Sequence, residues 1–257
     1  MLLNGCVRKC LTVLALFTAG LAVILSWAGY FASSPFTLVM PVKQNASNSS
    51  RIAAIYISGD VGYKIATGKQ IGDRLSNDGI PVLAVNSLSF FRTKRTIPEV
   101  TALIEQAIAI ALHEGHAEKV VLIGHSFGAD ALQAGVAALP SRLRAKIEAI
   151  VLIAPTNTLY LQISPIEMLD WFESDAVTLP TLKQIDWVPL TCISGADEES
   201  SPCPLLLGTN VRRIILPGGH NLDWDNVALH RAILGALAAA SYANVTKNSV
   251  HSSVKPG

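Results

Sequence analysis

The run Val120-Val-Leu-Ile123 leads without a break into Gly124-His125-Ser126-Phe127-Gly128, and a helical pattern follows. A buried strand that passes into a helix within so few residues must turn sharply. Glycines two before and two after the central serine remove the side chains that would hold strand and helix apart. In that setting the serine takes a strained backbone conformation, and its hydroxyl stands clear of the sheet beside the N-terminus of the next helix. A lone G-x-S-x-G also fits an ordinary turn between a strand and a helix; the strand before it and the helix after it give the motif its weight. The chain therefore needs a central strand buried on both faces, as in a parallel sheet.

The rest of the sequence supplies such a sheet. Short apolar runs at Ile52–Ile57, Pro81–Val85, Val120–Ile123, Ile150–Ile153, Val188–Ile193 and Val211–Leu216 read as strands. They alternate with helical patterns at about 66–78, 97–114, 127–139, 165–173 and 225–241. Thr96 is the expected N-cap of the second helix, with Pro98 and Glu99 in its first turn and Gly115 at its end. Strand and helix in alternation imply right-handed crossovers and an α/β layer structure.

Leu11 to Phe31 carries no charge and follows Arg8-Lys9, so residues 1–32 read as an export signal or a membrane anchor. A span needs about 20 apolar residues, while Ser26-Trp27-Ala28 offers small residues at the two positions a signal peptidase reads; both fates stay open. Either sends the remainder across the membrane. Residues 33–50, rich in Ser, Asn and Pro, read as a linker, 51–243 as one folded domain and 244–257 as a flexible tail. A net charge of +1, with 15% of residues charged, offers no field for nucleic acid.

A serine nucleophile needs a base, and the base an orienting acid, in the chain order Ser, acid, His when the serine sits in such an elbow. Pro217-Gly-Gly-His220 follows the Val211–Leu216 strand and could carry the imidazole. Asp197-Glu198-Glu199 follows the strand that ends in Ser194-Gly195. Counting three residues from Gly195 gives Glu198, with Asp197 as the alternative and Glu199 as a solvated neighbour. His125 reads as a packing or entrance residue. The oxyanion hole is expected from the backbone N–H of Phe127 and one from Asp60 or Val61 in Ser58-Gly-Asp-Val-Gly62. Cys192 and Cys203 flank the acids and, beyond an export segment, read as a disulfide. Two thiols without a nearby histidine do not complete a zinc site.

Ile57-Ser-Gly-Asp-Val-Gly-Tyr63, Gly79–Leu88 with Phe90-Phe91-Arg92 and Arg95–Glu99, Gly124–Asp130, Leu139-Pro140, Cys192-Ile-Ser-Gly with Glu198, Cys203-Pro204 and Leu216–His220 together resemble the VirJ/AcvB bacterial virulence proteins. The similarity covers about 52–238. It departs from the family's pattern at Val61, Tyr63 and His125, where glycine, tryptophan and tyrosine are usual. The resemblance implies a periplasmic α/β-hydrolase fold, a mostly parallel central sheet flanked by helices; the segment 156–187 is long enough to add a small cap or to pack into the core. The resemblance also implies hydrolysis of aminoacyl-phosphatidylglycerol, a membrane lipid, by Ser126, His220 and Glu198, with no cofactor or metal, and an association with virulence or type IV secretion. Asp60, Asp130 and Asp223 are candidates to receive a cationic head group, and Arg92, Lys94 and Arg95 to meet a lipid phosphate. Leu159-Tyr160-Leu161 and Trp171-Phe172 could face acyl chains, or simply pack into the core. The alternatives are a general periplasmic carboxylesterase, thioesterase or lipase, and a non-catalytic partner of a secretion system.

Overall fold

A computed structural model of the chain describes residues 2–41, 52–65, 67–163 and 173–253, with side chains from Val7 to Tyr242 within those spans. Helix α1 (Leu2–Ala28) precedes a short strand β1 (Phe36–Val39). Then come β2 (Ile52–Ile57), α2 (Thr67–Asn77), β3 (Val82–Val85), the short α3 (Ser87–Phe90) and α4 (Ile97–Glu114). The elbow joins β4 (Lys119–His125) to α5 (Phe127–Ala137), followed by α6 (Ser141–Arg144) and β5 (Ile147–Ile153). A small hairpin of β6 (Thr158–Leu159) and β7 (Ala176–Val177) leads to α7 (Leu179–Leu182), and the body ends with β8 (Leu190–Gly195), β9 (Val211–Leu216) and α8 (Asn226–Ser253).

The main sheet has the order β1-β3-β2-β4-β5-β8-β9, parallel throughout except for the antiparallel edge β1. Alternate residues face opposite layers, as the period-2 geometry of a strand requires. Ala53, Ile55, Ile57, Leu122, Ile150 and Leu152 pack with Ile104 and Ile108 of α4 and Leu132 of α5. Ala54, Tyr56, Val121, Ile123 and Val151 pack with Ile71 and Leu75 of α2 and Leu229 and Ile233 of α8. Both faces are buried, which explains the unbroken apolar runs in the sequence. Helix α4 starts with a capping box: Thr96 N–H donates to Glu99 Oε2 at 2.8 Å and Glu99 N–H to Thr96 Oγ1 at 3.4 Å. The chain leaves β2 for β3 on one side and returns to β4 on the other. The C-terminal ends of β2 and β4 thus flank a switch point, where open α/β sheets hold their ligands.

Three expectations need correction or lie outside the described residues. The segment read as a linker contributes β1, paired Phe36↔Val85 to Val39↔Val82; five residues between Ser-Pro and Pro are too few to show a period, and the edge of β3 decides their conformation. The segment read as a flexible tail continues α8 to Ser253, because no Gly or Pro stands between Gly235 and Pro256 to stop a helix. Residues 164–172, including Trp171-Phe172 and nearly all of the helix expected over 165–173, lie outside the described residues.

Candidate active site

Ser126 sits between β4 and α5 at φ 53°, ψ −125°, a backbone region that costs a non-glycine residue about 1–3 kcal/mol. Its neighbours enforce that conformation. The Ser126 N–H donates to Ile153 O at 2.8 Å, which ties the elbow to the end of β5. A Cβ on Gly128 would lie 2.4 Å from the carbonyl oxygens of Ile57 and Ser58, and one on Gly124 2.6 Å from Ala129 Cα. Both glycines are therefore required for β2, β4 and α5 to approach.

His220 lies four residues past β9, and its Nε2 is 2.8 Å from Ser126 Oγ. On its other side Nδ1 is 2.5 Å from Glu198 Oε1. With Nδ1 protonated, the imidazole donates to Glu198 and accepts from the serine hydroxyl. Glu198 is 2% exposed at its side chain, and its Oε2 accepts the Gly195 N–H at 3.3 Å. Asp197 and Glu199 are exposed, and Asp197 reaches the next loop only through its backbone N–H to Gly218 O. Of the three acids, Glu198 alone meets the imidazole. The Cys192–Cys203 disulfide links the buried strand β8 to the turn at Cys203–Leu205 and closes the loop that carries Glu198. A cross-link over so short a loop stabilises by about 3 kcal/mol in the chain-entropy description.

The cleft beside Ser126, about 240 Å³, is lined by Gly59–Gly62, Ile65, Thr67, Gly68, His125, Ser126, His220, Asn221 and Trp224. The Phe127 N–H belongs to the first turn of α5, where no intrahelical acceptor exists. On the facing loop, Val61 donates its N–H to Asp60 Oδ1 at 2.9 Å, so Val61 is spent and Asp60 is the oxyanion candidate that remains.

The three candidate cation-binding carboxylates part company. Asp60 lines the cleft. Asp223 is exposed, sits at φ 50° and is not on the cleft wall. Asp130 is buried behind the elbow, where Oδ1 accepts the Thr156 N–H at 2.8 Å and Oδ2 lies 2.7 Å from Thr156 Oγ1. The basic loop is also committed elsewhere: Arg92 donates to Tyr30 O, Lys94 pairs with Asp175, and Arg95 bonds Phe90 O and Glu99. No described residue of 156–187 lines the cleft, and Leu159 and Leu161 are buried in the core. The described part of the expected cap thus packs beside the site, and residues 164–172 of that segment lie outside the described residues.

Burial pushes the Asp130 carboxyl well above its ordinary value, more than the Thr156 hydrogen bonds lower it, and the charge of Glu198 adds to the rise. The folded state thus keeps a proton that the unfolded chain gives up near pH 3.8. The associated stability is full below that pH and is lost as pH rises toward the folded value. Asp130→Asn can keep both bonds, since its amide oxygen accepts from Thr156 N and its NH₂ donates to Thr156 Oγ1, which passes its own hydrogen to Thr158 O at 3.0 Å. Between roughly pH 5 and 8 the melting temperature of Asp130→Asn should fall less than that of the parent. Parallel declines in thermal unfolding would refute this.

Two side chains that sequence reasoning missed shape the cleft. Tyr56 Oη lies 3.1 Å from His125 Nδ1. Tyr56 is fully buried, and were it the acceptor its own hydrogen would have no partner; it donates, so His125 carries its proton on Nε2. Burial, and then the charge of His220, pull the His125 pKa down to about 4, so this ring is neutral at physiological pH. A lone hydroxyl in the otherwise apolar IAAIYI strand was the available signal. Trp224 reaches the cleft from three consecutive left-handed residues, Leu222 to Trp224, which no composition rule anticipates.

Hydrogen bonding to Glu198 raises the His220 pKa, burial opposes the rise, and the charges of Glu198 and then Asp60 add to it. A base must be neutral to accept a proton, so the acid limb of the kcat/KM profile should lie above 6.5, the ordinary imidazole value. Asp60→Asn removes one of the raising charges and should move that limb to lower pH. An unmoved limb would show that Asp60 does not act on His220.

The same architecture recurs in solved structures. The chain superposes on Est1E from Butyrivibrio proteoclasticus with ferulic acid bound, at TM-score 0.55 and 16% identity, over 79% of this chain and 95% of that one. It superposes on MenH from S. aureus at TM-score 0.56 and 11% identity, over 80% and 98%. A lipase-esterase related protein from Clostridium acetobutylicum gives 0.54 and 13%, over 79% and 99%. These likenesses establish the α/β-hydrolase fold. No curated protein matches the chain in sequence. The model of the bacterial virulence protein family VirJ matches residues 51–241, which span every strand of the sheet except β1 together with the elbow, the acid loop and the histidine loop. The chain belongs to the VirJ family of bacterial virulence proteins.

Proposed function

We propose that the protein is an exported serine hydrolase that removes the aminoacyl group from aminoacyl-phosphatidylglycerol at the periplasmic face of the membrane. The observation that carries the hydrolase reading is the continuous relay from Ser126 Oγ to His220 Nε2 and from His220 Nδ1 to Glu198, at 2.8 and 2.5 Å. Ser126 attacks the ester carbonyl carbon while His220 takes the hydroxyl proton, and Glu198 stabilises the imidazolium. The N–H groups of Phe127 and Asp60 receive the developing oxyanion. His220 returns the proton to the departing glycerol oxygen, and phosphatidylglycerol leaves. Water, deprotonated by His220, then attacks the aminoacyl-serine ester and releases the free amino acid.

The substrate class is supported by the VirJ/AcvB resemblance and by one feature of the cleft. Asp60 places a carboxylate, the group that would receive an ammonium, on the wall of a cavity of about 240 Å³, small beside the pockets that enclose drug-sized ligands. An association with virulence or type IV secretion rests on the resemblance alone. The deciding experiment gives the purified full-length protein vesicles containing lysyl- or alanyl-phosphatidylglycerol. Release of the amino acid with recovery of phosphatidylglycerol is expected. Intact lipids alongside cleavage of a simple p-nitrophenyl ester would replace this substrate with a general carboxylesterase activity.

A further inference from the structure

The end of α1 is built into the hydrolase body. Its side chains are exposed along the apolar span from Val7 to Trp27 apart from the half-buried Leu25, and Ala28 is 1% exposed. The helix closes with Gly29 in the left-handed region at φ 86°: the Gly29 N–H donates to Ser26 O at 3.1 Å and the Tyr30 N–H to Leu25 O at 2.9 Å, the paired bonds of a Schellman stop. Carbonyls of the departing chain are then taken up by the body. Ala28 O accepts from Asn86 Nδ2 at 2.8 Å, Tyr30 O from Arg92 Nη1 at 3.0 Å and Ala32 O from Ser89 Oγ at 3.3 Å. The Asn86 N–H in turn donates to Pro35 O at 2.8 Å.

Asn86 also holds the cleft. Its Oδ1 accepts the Tyr63 N–H at 3.3 Å, and Gly62, part of the cleft wall, packs against it so closely that a Cβ there would lie 2.7 Å from Oδ1. A Cβ on Gly29 would lie 2.6 Å from Nδ2. One carboxamide is thus gripped between the end of the apolar helix and the loop that carries Asp60.

We infer that residues 2–28 are a retained membrane span, not a cleaved leader, and that Asn86 locks the end of this span to the cleft wall so that the site opens at the bilayer surface. The 22 residues of Val7–Ala28 are enough to cross the hydrocarbon. Ser26 and Ala28, the small residues of the alternative cleavage site, lie in the closed last turn. A chain cut after Ala28 would place a charged ammonium at Gly29 against the donor face of Asn86, with the acceptor of that donor gone. Trp27 and Phe31 are exposed at the helix end, where aromatic side chains favour the membrane–water boundary. Val61 and Trp224, apolar and exposed, line the cleft whose wall Asn86 ties to the end of the helix.

The fate of the span and the chemistry at Ser126 are read by separate measurements, because neither of the following uses a substrate. Full-length protein recovered from carbonate-washed bacterial membranes should have an intact mass that includes everything through Ala28. A mature N-terminus at or beyond Gly29 overturns retention. For placement, a fluorescent label is attached to Val61→Cys, Trp224→Cys or Leu207→Cys in a Cys6→Ser, Cys10→Ser background, and each protein is reconstituted in vesicles carrying a nitroxide on the phosphocholine headgroup. Leu207, 81% exposed, lies before β9, at the opposite end of the sheet from the cleft. Labels at 61 and 224 should lose most of their emission while the label at 207 keeps its own. Equal quenching at all three positions, or none at 61 and 224, overturns the placement.

Discussion

Ser126→Ala is expected to abolish covalent labelling by a fluorophosphonate and to lower kcat on an ester by about 10⁴–10⁶-fold, or about 5–8 kcal/mol of transition-state stabilisation. Among the described residues, Ser126 alone places a hydroxyl against His220 Nε2. His125, the preceding residue, is neutral, its Nδ1 is occupied by Tyr56, and it carries its hydrogen on Nε2. The residual rate should come from the Phe127 and Asp60 N–H donors and from substrate binding, which survive the substitution. Because Ser126 is held at positive φ, alanine inherits the strain, whereas Ser126→Gly relieves it. The two variants should therefore differ in melting temperature yet be equally inactive. His220→Ala should cost about as much as Ser126→Ala, and the double variant little more than either, since the two groups act as a unit. Undiminished turnover in both Ser126 variants would remove the proposed mechanism altogether.

The centre of the fold was legible because sequence and structure meet there at short range. β4 and α5 are adjacent in the chain, and the glycines at the end of one and the start of the other are needed for the contacts their neighbours impose. The capping box at Thr96 was legible for the same reason. His220 and Glu198 could be named because each follows the end of a strand, and parallel strands bring those ends to one edge. What stayed hidden depends on partners distant in sequence. β1 exists only because β3 offers it an edge. Asp130 reads like any acid in a first helical turn, yet Thr156 and the core around it decide its protonation. Val61 and Asp60 were equivalent as oxyanion donors until the side chain of Asp60 claimed the N–H of Val61.

The choice of acid has the sharpest consequence. Glu198→Gln is expected to lower kcat by about 10⁴-fold, while Asp197→Asn should leave it nearly unchanged. The carboxylate of Glu198 accepts the Nδ1 hydrogen of His220 and leaves Nε2 free to take the serine proton. Glutamine can turn its NH₂ toward Nδ1, which moves the imidazole hydrogen to Nε2 and blocks the step. Asp197 differs by one position but faces water, and substituting its side chain leaves its backbone bond to Gly218 in place. A short loop could exchange neighbouring acids if it were free to shift register. This one is held at both ends, by the disulfide between Cys192 and Cys203 and by the Gly195 N–H on Glu198 Oε2. A shift of the acid limb to lower pH should accompany the Glu198→Gln defect, because the group that most raises the His220 pKa would be gone. A large rate loss in Asp197→Asn with Glu198→Gln active would reverse the assignment and show that the loop rearranges when substrate binds.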